Sequence, residues 1–102
     1  NIPVAALSAR GVPVFNAPGA NANAVKELVL AGMLLAARNL AGAQRFVQGL
    51  DANAADLDAQ VEAGKKPFAG FELAGQSLGV IGLGRVGCLV ADAAIKLGMQ
   101  VW

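Results

Sequence analysis

Histidine is absent from the 102-residue sequence, and cysteine occurs once, as Cys88. A single cysteine forms no internal disulfide, so we expect a protein of the reducing cytoplasm. Because the chain contains no histidine that could activate a thiol, we interpret Cys88 as a small helical residue and not as a nucleophile. We predict no catalytic residue and no metal site in this sequence.

Charge is scarce as well, since Asp, Glu, Lys and Arg make up 15% of the residues and the net charge is +1. This low content of charged residues excludes a disordered, highly charged tail. The only basic cluster is the pair Lys65 and Lys66, so we expect no binding to nucleic acid or to an anionic membrane. The longest apolar run, residues 28–37, has about half of the roughly 20 residues that a membrane span needs. The N-terminus has no signal-peptide pattern. With 56% hydrophobic residues, the composition is typical of a buried α/β protein.

The order of helices, strands and turns is predicted from periodicity and turn chemistry. A short helix capped by Asn1 precedes Gly11, and Val12–Phe15 is predicted to be a strand because it is β-branched and aromatic. A long helix capped by Asn21 or Asn23 is predicted to continue to Gly49. Because it is apolar on nearly all sides, we expect it to be buried on several sides or to pack against a partner subunit. The later predictions are a second helix within residues 51–64, a loop at 66–76, a strand at 77–81, a helix within residues 85–98 that Gly98 closes, and a β-like run at 99–102.

The segment VIGLGRVG, residues 80–87, has the spacing G-x-G-x-x-G. The chain contains 13 glycines, so this spacing arises by chance in about one such chain in five, and alone it is weak evidence. The order of strand, glycines and helix in one βαβ unit is the context that a dinucleotide-binding site requires, and the sequence meets it.

Each residue of the motif has a predicted mechanical role. Gly82 allows a tight turn out of the strand, Gly84 lets the backbone approach a pyrophosphate, and Gly87 lets helix and strand pack closely. The pyrophosphate would lie at the helix N-terminus and accept hydrogen bonds around Arg85 and Val86. The alternative, a glycine turn that serves packing alone, is weaker in this context.

Two long segments resemble a known enzyme family. RGVPVFNAPGANANAVKELVLAGMLLAAR and GKKPFAGFELAGQSLGVIGLGRVGCLVADAAIKLGMQV are similar to the D-isomer-specific 2-hydroxyacid dehydrogenases, and the likeness covers the whole chain. The resemblance implies an α/β fold: residues 1–16 would complete a substrate domain and hinge, and residues 17–102 would begin a Rossmann-type NAD-binding domain with a parallel sheet. It also implies a homodimer formed through residues 23–71.

The resemblance implies NAD as the cofactor, bound by Gly82, Gly84, Arg85, Val86 and Gly87, with main-chain groups of Arg85 and Val86 on the pyrophosphate. Two positions depart from the family pattern: Lys26 replaces a commonly small residue, and Val86 stands where isoleucine is common. The acid that holds the ribose and the catalytic Arg, Glu and His of the family would follow Trp102, so this chain alone is expected to be inactive.

Two functions remain open at this point. The first is a segment of a dehydrogenase that oxidises a small D-2-hydroxy acid, for which overall likeness favours 3-phosphoglycerate and serine synthesis. The second is a non-catalytic nucleotide-binding or dimerisation module. NAD and NADP are not distinguished, because the discriminating acid would lie past the last residue.

Overall fold

The computed structural model describes residues 2–102. Its helices are α1 (Val4–Ala9), α2 (Ala22–Ala37), α3 (Leu40–Gln48), α4 (Leu57–Gly64) and α5 (Arg85–Lys96), with a 3-10 turn at Lys66–Phe68 between α4 and α5. The strands are β1 (Ser77–Leu78) and β2 (Gln100–Val101). Within this part of the chain, β1, α5 and β2 form a βαβ unit, and α2 packs against α5.

The N-terminal segment matches the predicted helix but not the predicted strand. Gly11 follows α1 with φ +68°, the left-handed conformation expected of a glycine beyond a helix end. The predicted cap, Asn1, lies outside the described residues. The prediction of a strand at Val12–Phe15 is wrong: within residues 2–102 the segment pairs with no strand, and Phe15 is exposed. β-Branched residues favour a strand only where a neighbouring strand offers partners.

The long helix predicted to reach Gly49 is interrupted. Asn39, between α2 and α3, has φ +46°, and this left-handed residue turns the chain. Asparagine tolerates that conformation better than most side chains do, which explains how a break arises without glycine or proline. Asn21 occupies the position before α2, as predicted, but its side chain makes no capping hydrogen bond.

Helices α3 and α4 and the 3-10 turn form a small cluster apart from the sheet. The rings of Phe46 and Phe68 stack with their centroids 5.4 Å apart at an interplanar angle of 36°. Gly64, the last residue of α4, lies so close to the Phe46 ring that a Cβ there would overlap it. Phe68 therefore anchors this loop, as the sequence predicts.

The chain returns from this cluster to the end of α2. The Phe71 N–H donates to the carbonyl oxygen of Ala37 at 2.9 Å, and Gly70, with φ +62°, lies against the same carbonyl. Residues 38–70 thus leave and rejoin the rest of the fold at one point. The Phe71 side chain remains exposed, so it is the backbone of this residue, and not its ring, that anchors the loop.

The two strands are parallel, with Ser77 opposite Gln100 and Leu78 opposite Val101. Parallel hydrogen bonding continues past β1, since the Val80 N–H donates to the Trp102 carbonyl at 2.8 Å. The βαβ unit confirms the α/β prediction, although β1 is shorter than the predicted 77–81. Two strands do not by themselves establish a Rossmann sheet.

The core is small and lies where α2 and α5 meet each other and the sheet. Its buried apolar residues are Ala22, Ala37, Val90, Ala94 and Met99. The accessible surface is 7627 Å², against about 5,300 Å² for a compact monomer of this mass. The radius of gyration is 21.7 Å, against about 13 Å for a compact domain of this length.

The apolar run 28–37 is therefore largely uncovered by the described chain. Leu28 is 73% exposed and Leu35 is 49% exposed, so residues 2–102 taken alone do not bury this helix on several sides. The other interpretation of its apolar surface, packing against a partner subunit, stays a prediction. None of the helices in this range has the length and apolar character that crossing a bilayer requires.

Candidate functional site

The candidate site begins where the chain turns out of β1. Gly82 has φ +96°, a backbone conformation that residues with a Cβ rarely adopt. It lies two residues after Val80, whose N–H donates to the carbonyl of Trp102, the residue that follows β2. The turn predicted at the first glycine of the motif is thus present, at the end of the strand hydrogen bonding.

Gly84 is the residue before α5, with φ −81° and ψ −166°. Its carbonyl accepts the Cys88 N–H at 2.9 Å, which forms the first turn of the helix. A Cβ added to Gly84 would meet nothing within 4 Å. The backbone here therefore faces open space, as a close approach by a ligand requires.

The first turn of α5 offers free hydrogen-bond donors. The N–H groups of Arg85, Val86 and Gly87 have no acceptor within the helix, and none of them donates to another backbone group in the described range 2–102. No side chain caps this end of α5. Free N–H groups and the positive end of the helix dipole together favour an anion.

Gly87 packs against the turn. A Cβ at this position would overlap the Gly82 carbonyl oxygen and would lie 3.5 Å from Cγ1 of Val80. The absent side chain therefore brings α5 close to the strand, which is the role predicted for the third glycine.

Arg85 supplies the charge at this helix end. Its side chain is exposed, and the ion pairs found among residues 2–102, Lys65–Glu62 and Lys96–Asp92, do not include it. Its aliphatic part lies beside Gly19, in the turn before α2. The sequence did not single out Gly19, since the turn chemistry of residues 16–19 gives no indication of which distant side chain it contacts.

Other chemically active residues do not gather here. Cys88 lies in α5 and is exposed, and its Sγ–H donates to the Leu83 carbonyl oxygen at 3.2 Å. Its interpretation as a small helical residue and not a nucleophile stays a prediction. In the described range no three residues of the types His, Cys, Asp and Glu are grouped as metal ligands.

Two clefts lie away from the five predicted site residues. One, of about 270 Å³, lies beside the end of α2, and one of about 210 Å³ lies between α3 and α4. The predicted cradle is open at Gly82 and Gly84, where an added Cβ would meet nothing within 4 Å. The clefts are lined by the following residues: Leu34, Ala37, Arg38, Phe71, Glu72, Leu73, Ala74 and Leu97 in the first, and Val47, Leu50, Ala52, Leu57 and Val61 in the second.

Comparison with known proteins identifies the family. Residues 30–102 match the sequence model of the D-isomer specific 2-hydroxyacid dehydrogenase, NAD binding domain. The chain belongs to this family. The family predicted from the two resembling segments is thereby confirmed, and the cofactor of this dehydrogenase domain is NAD.

Relatives of this dehydrogenase domain match over almost the whole chain. D-3-phosphoglycerate dehydrogenase of Methanocaldococcus jannaschii is 40% identical over 101 residues, which are 99% of this chain and 17% of that protein. Hydroxypyruvate reductase of Thermotoga maritima is 36% identical over 101 residues, 99% of this chain and 29% of that protein. The chain thus spans less than a third of the length of these relatives.

A solved structure has a similar fold. The TT0316 protein of Thermus thermophilus superimposes with a TM-score of 0.77 at 30% sequence identity, over 98% of this chain and 30% of that one. The arrangement of helices and strands described above therefore occurs inside a larger experimentally determined chain.

Proposed function

We propose that this sequence is an internal NAD-binding segment of an oxidoreductase that transfers hydride from a D-2-hydroxy acid to NAD. Residues 1–16 would complete the substrate domain and hinge, and residues 17–102 would begin the NAD-binding domain. The observation that carries the proposal is the open N-terminus of α5, with its free N–H groups behind the left-handed turn at Gly82.

The same residues that the sequence predicts would hold the cofactor. The N–H groups of Arg85 and Val86 would donate to the pyrophosphate, and the Arg85 guanidinium would add a positive charge beside it. Gly84 would let the phosphates approach the backbone, while Gly82 and Gly87 would shape the turn and keep α5 against the strand.

The chemical step would use groups beyond those of this chain. Bound NAD accepts the hydride, and the protein must supply a base for the hydroxyl proton and a cation for the substrate carboxylate. We assign no catalytic residue here, since the sequence has no histidine. The role of this segment would be to bind and orient the cofactor.

We further propose 3-phosphoglycerate as the substrate, which would place the enzyme in serine biosynthesis in the cytoplasm. The support is overall likeness, since a relative named D-3-phosphoglycerate dehydrogenase is 40% identical along 99% of this chain. Hydroxypyruvate reductase is similar at 36%, so the choice needs a direct assay with both substrate types.

A homodimer formed through the NAD-binding domain is part of the proposal. Apolar side chains on α2 and α3 are exposed in the single chain, among them Leu28 at 73% and Val47 at 61%. Exposed apolar area on this scale is typical of an interface. Nucleic acid and membrane are not proposed as partners.

The test uses the natural protein that carries this sequence, in its full length. Wild type, Gly84→Ala and Gly79→Ala are titrated with NAD by calorimetry and assayed for NADH formation with 3-phosphoglycerate, glycerate and lactate. Neither glycine has a positive φ or a neighbour within 4 Å of an added Cβ, so both variants should fold.

Gly84→Ala should weaken NAD binding at least about tenfold, because its Cβ would push the phosphates away from N–H groups whose bonds to a charged oxygen contribute about 1.5–3 kcal/mol each. Gly79→Ala should bind NAD as wild type does. Absence of NAD binding by wild type, or equal affinity in the two variants, would refute the proposed site. NADH formation from another hydroxy acid alone would refute the substrate choice.

A further inference from the structure

The Arg85 side chain lies across the backbone of Gly19, 66 positions earlier in the sequence. A Cβ added to Gly19 would lie 2.8 Å from Cδ of Arg85, 3.3 Å from Nη1 and 3.5 Å from Nε. Real Cβ atoms essentially never come within 3.0 Å of another heavy atom. The side chain of Arg85 would therefore have to leave its present position if residue 19 carried a Cβ.

The turn that contains Gly19 is fixed to the fold. Gly19 has φ +82°, its carbonyl accepts the Ala22 N–H at 3.1 Å, and the Ala20 N–H donates to Ala17 at 3.2 Å. Ala22 is buried at the start of α2, which packs against α5. Gly19 and the backbone of Arg85 thus lie in elements that pack against each other, and the Arg85 side chain spans the short distance between them.

The contact restricts a side chain whose charge has no partner. Among the residues that the structure describes, no carboxylate lies within 4 Å of the Arg85 guanidinium. A long arginine side chain loses rotamer freedom when it binds a phosphate, and this loss is smaller when the side chain is already held in place. A pre-positioned guanidinium at the N-terminus of α5 would therefore bind an anion more tightly than a free one.

We propose that Gly19 is a positioning residue of the cofactor site, acting through Arg85: by leaving room for this side chain, it makes the turn before α2 part of the pyrophosphate cradle. This inference rests on the proposed function. It connects the segment that precedes α2 to the motif that follows β1, two regions that sequence spacing does not relate.

The test compares Gly19→Ala with Gly75→Ala in the full-length natural protein. Gly75 has φ +79°, close to that of Gly19, but an added Cβ there would meet nothing within 4 Å. Both variants therefore carry the same backbone strain, and only one disturbs Arg85. NAD, ADP-ribose and adenosine are titrated into each by calorimetry.

Gly19→Ala should bind NAD and ADP-ribose about fivefold more weakly than Gly75→Ala does, as expected for partial loss of one charge-assisted contact. Adenosine, which has no phosphate, should bind both equally. In an Arg85→Ala background the added Gly19→Ala change should have no further effect on NAD affinity, because the side chain through which it acts is gone.

Equal NAD affinity of Gly19→Ala and Gly75→Ala overturns the inference, and so does a Gly19→Ala effect that persists in the Arg85→Ala background. If Gly84→Ala weakens NAD binding while Gly19→Ala does not, this inference alone fails. If wild type does not bind NAD, both the inference and the proposed function fail.

Discussion

Replacing Gly87 with alanine tests whether the third glycine of the motif sets the distance between α5 and the turn. The added Cβ would overlap the Gly82 carbonyl oxygen, which belongs to the backbone and cannot rotate away. To relieve the overlap, α5 must move from the turn. Its buried residues, Val90 and Ala94, would then lose contact with the rest of the core.

The magnitude follows from two opposing contributions. Overpacking costs about 1–3 kcal/mol, and the upper part of this range applies because backbone, and not a flexible side chain, is in the way. Alanine is favoured over glycine within a helix by about 1 kcal/mol, which offsets part of that cost. Gly87→Ala should therefore lower the free energy of unfolding by about 2 kcal/mol.

The assay is equilibrium unfolding of the full-length protein in urea, without cofactor. Gly84→Ala is the control, since its φ of −81° suits alanine and its surroundings are open, and it should stay within about 0.5 kcal/mol of wild type. If Gly87→Ala also unfolds within about 0.5 kcal/mol of wild type at an unchanged denaturant slope, the packing argument is wrong.

Two further predictions concern the rest of the chain. Gly70→Ala combines a φ of +62° with an overlap on the Ala37 carbonyl, and should cost about 3 kcal/mol in urea unfolding, whereas Gly11→Ala, at φ +68° in open space, should cost about 1 kcal/mol. Equal losses would contradict this. The 102-residue chain in isolation should show helical circular dichroism without a cooperative melt and should form no NADH from NAD and 3-phosphoglycerate, because its surface exceeds that of a compact monomer by about 2,300 Å². A sharp two-state melt with micromolar NAD affinity would instead favour a self-contained nucleotide-binding module.

The sequence predicts the βαβ unit well because its signals are local. Turn glycines, an apolar run and helical spacing lie within about 25 consecutive residues, and the structure has β1, α5 and β2 in that order. Two predictions nearer the N-terminus were wrong. Val12–Phe15 has strand propensity but no neighbouring strand in the described residues, and the helix break at Asn39 has no glycine or proline to mark it.

In the candidate site, too, the features within one motif were predictable from the sequence, and the contact between distant segments was not. The turn at Gly82 and the open N-terminus of α5 follow from the order of residues within one motif. The approach of Gly19 to Arg85 depends on how α2 packs against α5. No periodic pattern in the sequence indicates which residues such packing brings together. The burial of α2 was also not predictable in full. An apolar sequence indicates that a helix face is covered, but not whether the same chain or a partner subunit covers it.

The two ends of the segment 38–70 lie next to each other, and this affects which changes of length the domain tolerates. Because the Phe71 N–H donates to the Ala37 carbonyl, the two ends of the segment 38–70 meet. This segment therefore leaves and rejoins the rest of the fold at the same point, whatever its own length. Lengthening a loop whose ends are already joined costs only a slowly growing closure entropy. Insertions, deletions or an exchanged segment in this region would therefore alter α3 and α4, which belong to the proposed dimer interface, while leaving the cofactor cradle in register.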